Sequence, residues 1–167
     1  MKIGFISDTH EQTKNIAAAV ERFNNMSPDL VIHLGDICSP IMADHFKPLK
    51  APLKIIFGNN DGDKAYLRKR FDYAELFTTP HEFSLNGKKI ICMHEPEFLE
   101  VFLKSGEYDL LAYGHTHRKE IRKNGSAAVL NPGEAGGLLT GISSAAMWDT
   151  SDGSIFIFDI FSGDELK

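Results

Sequence analysis

The order of apolar runs in this chain predicts an α/β protein built from two packed, mixed sheets with helices covering both outer faces. Three observations carry that prediction. The first half alternates β-branched-rich apolar runs with helical patterns, the second half is punctuated by hairpin turn residues, and five short polar segments each follow directly on an apolar run. Strand–helix alternation implies right-handed crossovers and a mostly parallel sheet, and the hairpins add antiparallel strands.

The elements follow in order. Apolar runs at 2–6, 30–34 and 53–57 read as buried strands, separated by helical patterns at 12–25 and 39–47 and followed by a short helix at 63–70. Runs near 74–78, 81–85 and 88–93 flank the Asn86-Gly87 turn, Asn124-Gly125 joins two more, and Ser151-Asp152-Gly153 joins AAMW to SIFIF. One further helix, 96–105, interrupts these hairpin strands.

Bulk composition narrows the class. With 167 residues, 43% hydrophobic and 25% charged, residues 1–167 suffice for one domain with a sizeable core. The net charge of −5 argues against an extensive nucleic-acid surface, and Arg68-Lys69-Arg70 reads as a solvated helix face. Cys38 and Cys92 read as small buried residues rather than a disulfide, and the amino terminus enters a strand with no secretory leader, so a cytoplasmic setting is expected. No run approaches the roughly 20 apolar residues of a membrane span.

The five polar segments hold the chemistry. IGFIS precedes Asp8-Thr9-His10, LVIHL precedes Gly35-Asp36, LKIIF precedes Gly58-Asn59-Asn60-Asp61, KIICM precedes His94, and LLAY precedes Gly114-His115-Thr116-His117. Side chains just past the carboxyl ends of parallel strands converge on one crevice, which makes these distant residues neighbours. Gly114 and the break in apolar pattern after Ser7 place the two D-x-H-like segments in turns. Two Asp, one Asn and four His mix hard oxygen with borderline nitrogen donors, a set suited to divalent transition metals. Asp36 can use both carboxylate oxygens and is the natural bridge between two ions, giving each about four ligands and leaving room for water or hydroxide. Two such ions, two carboxylates and a bridging hydroxide leave about +1 facing solvent, which fits an anionic phosphoryl group.

D-x-H, G-D, G-N-x-D, H and G-H-T-H in this order resemble the calcineurin-like metallophosphoesterase superfamily, and within it the small YfcE/MJ0936-like phosphodiesterases. The resemblance implies a four-layer α/β/β/α sandwich and a metal-dependent hydrolase. It also implies in-line attack of a metal-bridging hydroxide on a small phosphodiester. Asp8, His10, Asp36 and His117 would surround one metal and Asp36, Asn59, His94 and His115 the other, with Asp36, Asn59 and His94 as candidate catalytic residues. Mn2+ or Ni2+ are the first choices of ion, with Co2+, Fe2+, Zn2+ and Mg2+ as alternatives. A homodimer is compatible with the family, although no apolar stripe in the chain points to one. Asn131-Pro132-Gly133 resembles the family's loop beside the metals, giving Asn131 and Gly133 a supporting role.

Two departures shape the expected substrate. Many relatives carry His where this chain has Asn60, and an amide cannot protonate a leaving oxygen. That favours phosphodiesters with good leaving groups over phosphomonoesters. Gly usually follows the isolated His, whereas here it is Glu95, facing the substrate side. A catalytically silent scaffold, as among the family's retromer-subunit relatives, would show decayed ligands, and this chain shows none.

Other residues have plainer readings. Asp61 reads as a supporting partner of the centre or as a cap for the helix beginning near Asp63, and His33 as a supporting residue three positions before Asp36. His45 and His81 read as surface or packing residues. Phe156, Phe158 and Phe161 read as core or interface, since no basic residues accompany them as a base-stacking platform would require.

Overall fold

The computed structural model describes residues 1–166. Strand β1 (Lys2–Ile6) runs parallel to β2 (Leu30–His33), which pairs with β3 (Leu53–Ile56), and β4 (Glu75–Phe77) completes the parallel run. On its other side β1 meets β10 (Ser144–Asp149) antiparallel, followed by β11 (Ile155–Asp159) and β12 (Glu165–Leu166). The second sheet contains the hairpin of β5 (His81–Leu85) and β6 (Lys88–Cys92). It also contains β7 (Leu110–Ala112) and the hairpin of β8 (Glu120–Asn124) and β9 (Ala127–Asn131). Its spatial order is β5-β6-β7-β9-β8, with β6, β7 and β9 parallel to one another.

Three apolar layers show how the sheets stack. Ile6, Val31, Ile55 and Phe158 of the first sheet meet Ile16, Phe23, Phe46 and Phe71, contributed by helices α1 (Thr13–Met26) and α2 (Ala43–Phe46) and by Phe71, just past α3 (Lys64–Arg70). Ile3, Phe5, Leu30, Ile32 and Trp148 face Ile90, Cys92, Leu110, Ala112 and Leu130 across the sheet–sheet interface. Ile91, Met93, Leu111 and Val129 meet Leu99 and Leu103 of α4 (Leu99–Ser105). Successive residues of β1, β6 and β7 alternate between these layers with the period of two that a pleated strand imposes. Because both faces of the central strands are buried, their sequences are nearly unbroken apolar runs rather than an apolar–polar alternation. The predicted four-layer α/β/β/α sandwich of two mixed sheets is therefore observed.

Four elements differ from expectation. The helix expected at 39–47 is a 3-10 turn over Pro40–Met42 leading into the single turn of α2, because Pro40 begins the segment and Pro48 ends it. The helix expected from 96 starts at Leu99, since Pro96 precedes it. Strand β4 does not join the hairpins but pairs in parallel with β3 at the edge of the first sheet, and β12 was not foreseen. Among the described residues no helix is long and apolar enough to cross a membrane.

Phe5 is 0% exposed in the layer between the sheets. Phe5→Ala should therefore lower the unfolding free energy by about 3–5 kcal/mol. Urea denaturation followed by circular dichroism measures it, and a loss below about 1 kcal/mol would contradict the dry inter-sheet layer.

Candidate metal centre

Every one of the five polar segments lies just beyond the carboxyl end of a strand: after β1, β2, β3, β6 and β7. The first three strands belong to one sheet and the last two to the other, so the crevice straddles the layer between them. The turns predicted for the two D-x-H-like segments are present, and their backbone is unusual. Asp8, His10, Asp36, His115 and His117 all have positive φ, between 40° and 64°. Left-handed backbone costs a non-glycine residue about 1–3 kcal/mol and persists only where its surroundings fix it. An extended D-x-H would set its two side chains about 7 Å apart along the strand, and the left-handed turns curl them inward instead.

Reciprocal hydrogen bonds fix these turns. Asp8 N–H donates to Gly35 O at 3.0 Å, His10 N–H to Asp36 O at 3.1 Å, and Gly136 N–H to Asp8 O at 2.9 Å. The Asp8 side chain reaches the second sheet, its Oδ2 accepting from His115 N–H at 3.0 Å. Two glycines make the close approach possible. A Cβ at Gly58 would stand 2.2 Å from Asp36 Oδ1, and one at Gly114 would stand 2.0 Å from Ser7 Oγ and 2.9 Å from Asp8 Oδ2.

Seven side chains from these segments meet at the crevice. Ligand atoms of Asp8, His10 and His117 lie within 4.8 Å of one another, as do those of Asp8, Asp36 and His94. Asp36 Oδ2 is 3.7 Å from His10 Nε2 and 3.4 Å from His94 Nε2. Asn59 Oδ1 is 2.8 Å from His94 Nε2 and 3.0 Å from His115 Nδ1. Each histidine's far nitrogen has its own partner in three cases: His94 Nδ1 meets Leu34 O at 2.8 Å, His10 Nδ1 meets Cys38 Sγ at 3.4 Å, and His117 Nδ1 meets Glu134 Oε2 at 2.8 Å. Asp8 Oδ1 and His10 Nε2 are buried without a hydrogen-bond partner. Buried orphan donors and acceptors facing one another are costly unless something fills the gap, and a divalent cation fits this donor set.

The electrostatics agree. Burial pushes the Asp8 carboxyl up, and the nearby Ser7 side chain and the charges of His94 and His117 only partly offset it. Burial also works against ionised Asp36, but the bond and charge of His94 and two donors from Asn60 outweigh it and hold that carboxyl below the usual range. Asn60 supplies those donors through its backbone N–H to Asp36 Oδ1 at 2.9 Å and its side-chain Nδ2 to Oδ2 at 2.8 Å.

The supporting residues sort themselves by contact. Asp61 is buried and accepts from the backbone N–H groups of Asp36, Cys38 and Gly58, bracing the two metal-side loops. It does not cap the next helix; Asp63 does, accepting from Tyr66 N–H. His33 lies under the Asp8–His10 turn, its Nδ1 accepting from Gly35 N–H and its Nε2 3.2 Å from Thr9 Oγ1. Asn131 Nδ2 donates to Gly114 O and Thr116 Oγ1 while its Oδ1 accepts from Gly133 N–H, so this loop props up the Gly114–His117 turn. Glu95 follows His94 at the half-buried rim. His45 is half-buried on its helix, and His81 stacks on Phe77 at 4.1 Å, both outside the centre. Sequence reasoning missed Glu134, the buried partner of His117; its signal was an acidic residue set directly behind Pro132-Gly133 in a stretch of small residues.

A four-layer sandwich with side chains able to hold metal at five strand ends is the pattern of a metallophosphoesterase fold, and the chain belongs to the calcineurin-like phosphoesterase superfamily, whose domain model matches residues 1–153. It is 36% identical over 155 residues to phosphodiesterase MJ0936 of Methanocaldococcus jannaschii, covering 90% of this chain and 93% of that protein. The solved structure of an archaeal phosphodiesterase superposes with a TM-score of 0.90 at 33% identity, covering 95% of this chain and 99% of the other. The YfcE phosphoesterase of E. coli shares the fold, with a TM-score of 0.76 at 18% identity and 100% and 97% of the two chains covered.

His33 gives the centre an acid-sensitive floor. Burial lowers its pKa from 6.5 to about 3, and the lone pair it offers Gly35 N–H is lost on protonation. The unfolded chain takes up this proton below 6.5 and the folded chain only near 3, so its contribution to stability is whole above 6.5 and drains away as pH falls toward 3. Metal-free protein should lose about 2 kcal/mol between pH 6.5 and 5 that His33→Gln does not lose. Urea titrations of both proteins across that range decide it, and parallel pH slopes would refute the assignment.

Proposed function

We propose that this chain is a binuclear metal-dependent phosphodiesterase acting on small phosphodiesters. Asp8, His10, Asp36 and His117 would hold one divalent cation and Asp36, Asn59, His94 and His115 the other. The observation that carries this reading is the position of Asp36 Oδ2, which faces His10 Nε2 at 3.7 Å and His94 Nε2 at 3.4 Å, one nitrogen from each set. Mn2+ or Ni2+ suits the mixed carboxylate, amide and imidazole donors best. When bound, such a pair lowers the pKa of coordinated water and neutralises charge on a phosphoryl group.

The chain's own residues divide the remaining work. Asp36, Asn59 and His94 fix the geometry at the shared edge of the two sets, and Asn60 locks the Asp36 carboxylate through two hydrogen bonds. Asn60 has no proton to give a departing oxygen, so the leaving group must depart unassisted or take its proton from water. This supports phosphodiesters with good leaving groups over phosphomonoesters. Glu95 adds negative charge at the rim, which also favours the singly charged diester. The net charge of −5 supports a small substrate rather than a nucleic-acid duplex, and two free cysteines support a reducing, cytoplasmic setting.

The test is turnover of an aryl phosphodiester by purified protein reconstituted with Mn2+. Hydrolysis should exceed that of the matching monoester, vanish with a chelator, and fall at least about a hundredfold in Asp36→Asn, beyond the 10–100-fold typical of changes to a ligand's partners. Undiminished turnover by metal-free protein, or faster monoester cleavage, would defeat the proposal. Asn60→His sets an imidazole, a group able to pass on a proton, beside the Asp36 carboxylate. It should raise the rate for alkyl-leaving diesters relative to aryl-leaving ones by about tenfold or more, and an unchanged ratio would show that leaving-group protonation does not limit the reaction.

A further inference from the structure

Glu134 is 1% exposed, an acidic side chain enclosed beside the centre, and a carboxylate is enclosed only where donors surround it. Its donors come from two directions. On one side stands His117 Nδ1, 2.8 Å from Oε2. On the other, its oxygens accept from Leu138 N–H at 3.0 Å, Leu139 N–H at 2.9 and 3.2 Å, the Thr140 hydroxyl at 2.7 Å, and Thr140 N–H.

An ionised carboxylate only accepts, so neutral His117 must carry its proton on Nδ1 and its lone pair on Nε2. Nε2 is the atom that faces Asp8 Oδ1, at 3.5 Å. The tautomer that Glu134 enforces is therefore the one a cation between Asp8, His10 and His117 requires. We propose that Glu134 is a positioning residue that sets the His117 tautomer and couples occupancy of that cation site to the order of loop 138–140. The inference rests on the metal-centre reading above. A cation held by Nε2 would make Nδ1–H a stronger donor and pin the Glu134 carboxylate in one position, and a carboxylate already pinned holds the Leu138, Leu139 and Thr140 donors at a smaller cost in ordering. Because the coupling is a shared free energy, an ordered loop must in return tighten the cation. The loop presents Leu138 and Leu139, 56% and 75% exposed, so cation binding would also fix this exposed apolar pair.

Mn2+ alone is the probe. Calorimetric titration of metal-free wild-type protein should show two binding events. Glu134→Gln keeps the shape but turns an amide NH2 toward His117 or toward the loop, and it should weaken one event about 10–100-fold and leave the other unchanged. Equal affinities in the two proteins would overturn the inference, as would equal weakening of both events, which is what a merely structural role predicts. A second measurement needs no variant: amide hydrogen exchange of a peptide spanning 137–142 in wild-type protein should slow at least tenfold on adding Mn2+, and unchanged exchange would overturn the coupling. The two readings fail separately. Wild-type protein that takes up no Mn2+ sinks the centre itself, whereas two tight ions in wild type with an indistinguishable Glu134→Gln sink only the role of Glu134.

Discussion

Two buried carboxylates, Asp8 and Asp36, are the constraint around which the rest of the site is arranged. Neither can stay charged out of water without partners, and the chain supplies those partners from loops distant in sequence. Asp36 is satisfied by both donors of Asn60, and Asp8 is tied to the His115 backbone while keeping one oxygen orphaned. The asymmetry is informative: one carboxylate is locked in place before any ligand arrives, and the other is left unfinished.

The left-handed backbone at Asp8, His10, Asp36, His115 and His117 is the local cost of that arrangement. Five such residues amount to about 5–15 kcal/mol of conformational strain, a sum comparable to the whole stability of a domain. Loop-to-loop hydrogen bonds, the Asp61 and Asn131 braces, and the three apolar layers beneath hold it. A rigid scaffold with strain concentrated at one rim is the expected signature of a preorganised site.

Much of this was legible in the sequence because the relevant signals are local. Alternating apolar runs and Asn-Gly turns specify strands and hairpins directly, and Gly or Asp directly behind a strand announces a turn at its end. What escaped was set by tertiary contact. Strand β4 pairs with β3 because of where its chain arrives, and nothing within 74–78 distinguishes a parallel edge strand from a hairpin arm. Helix boundaries moved where Pro40, Pro48 and Pro96 overrode the apolar periodicity. Asp61 left its role open because a brace and a helix cap require the same side chain, and only the three amides it meets decide between them. Glu134 stayed hidden because its link to the centre runs through a partner 17 residues away in sequence.

The crevice has a further property that follows from its position across two sheets. Asp8, His10, Asp36 and Asn59 ride on one sheet, while His94, His115 and His117 ride on the other. The gap they span is therefore set by the thickness of the oil-like slab below, where small side chains such as Ala112, Ala146 and Cys92 share one cluster with Phe5, Leu34 and Trp148. Sheets stack about 10 Å apart, and a single added methylene there would pry the two rims open like a wedge. The hydrophobic interior thus serves as the calliper for the chemistry at its edge.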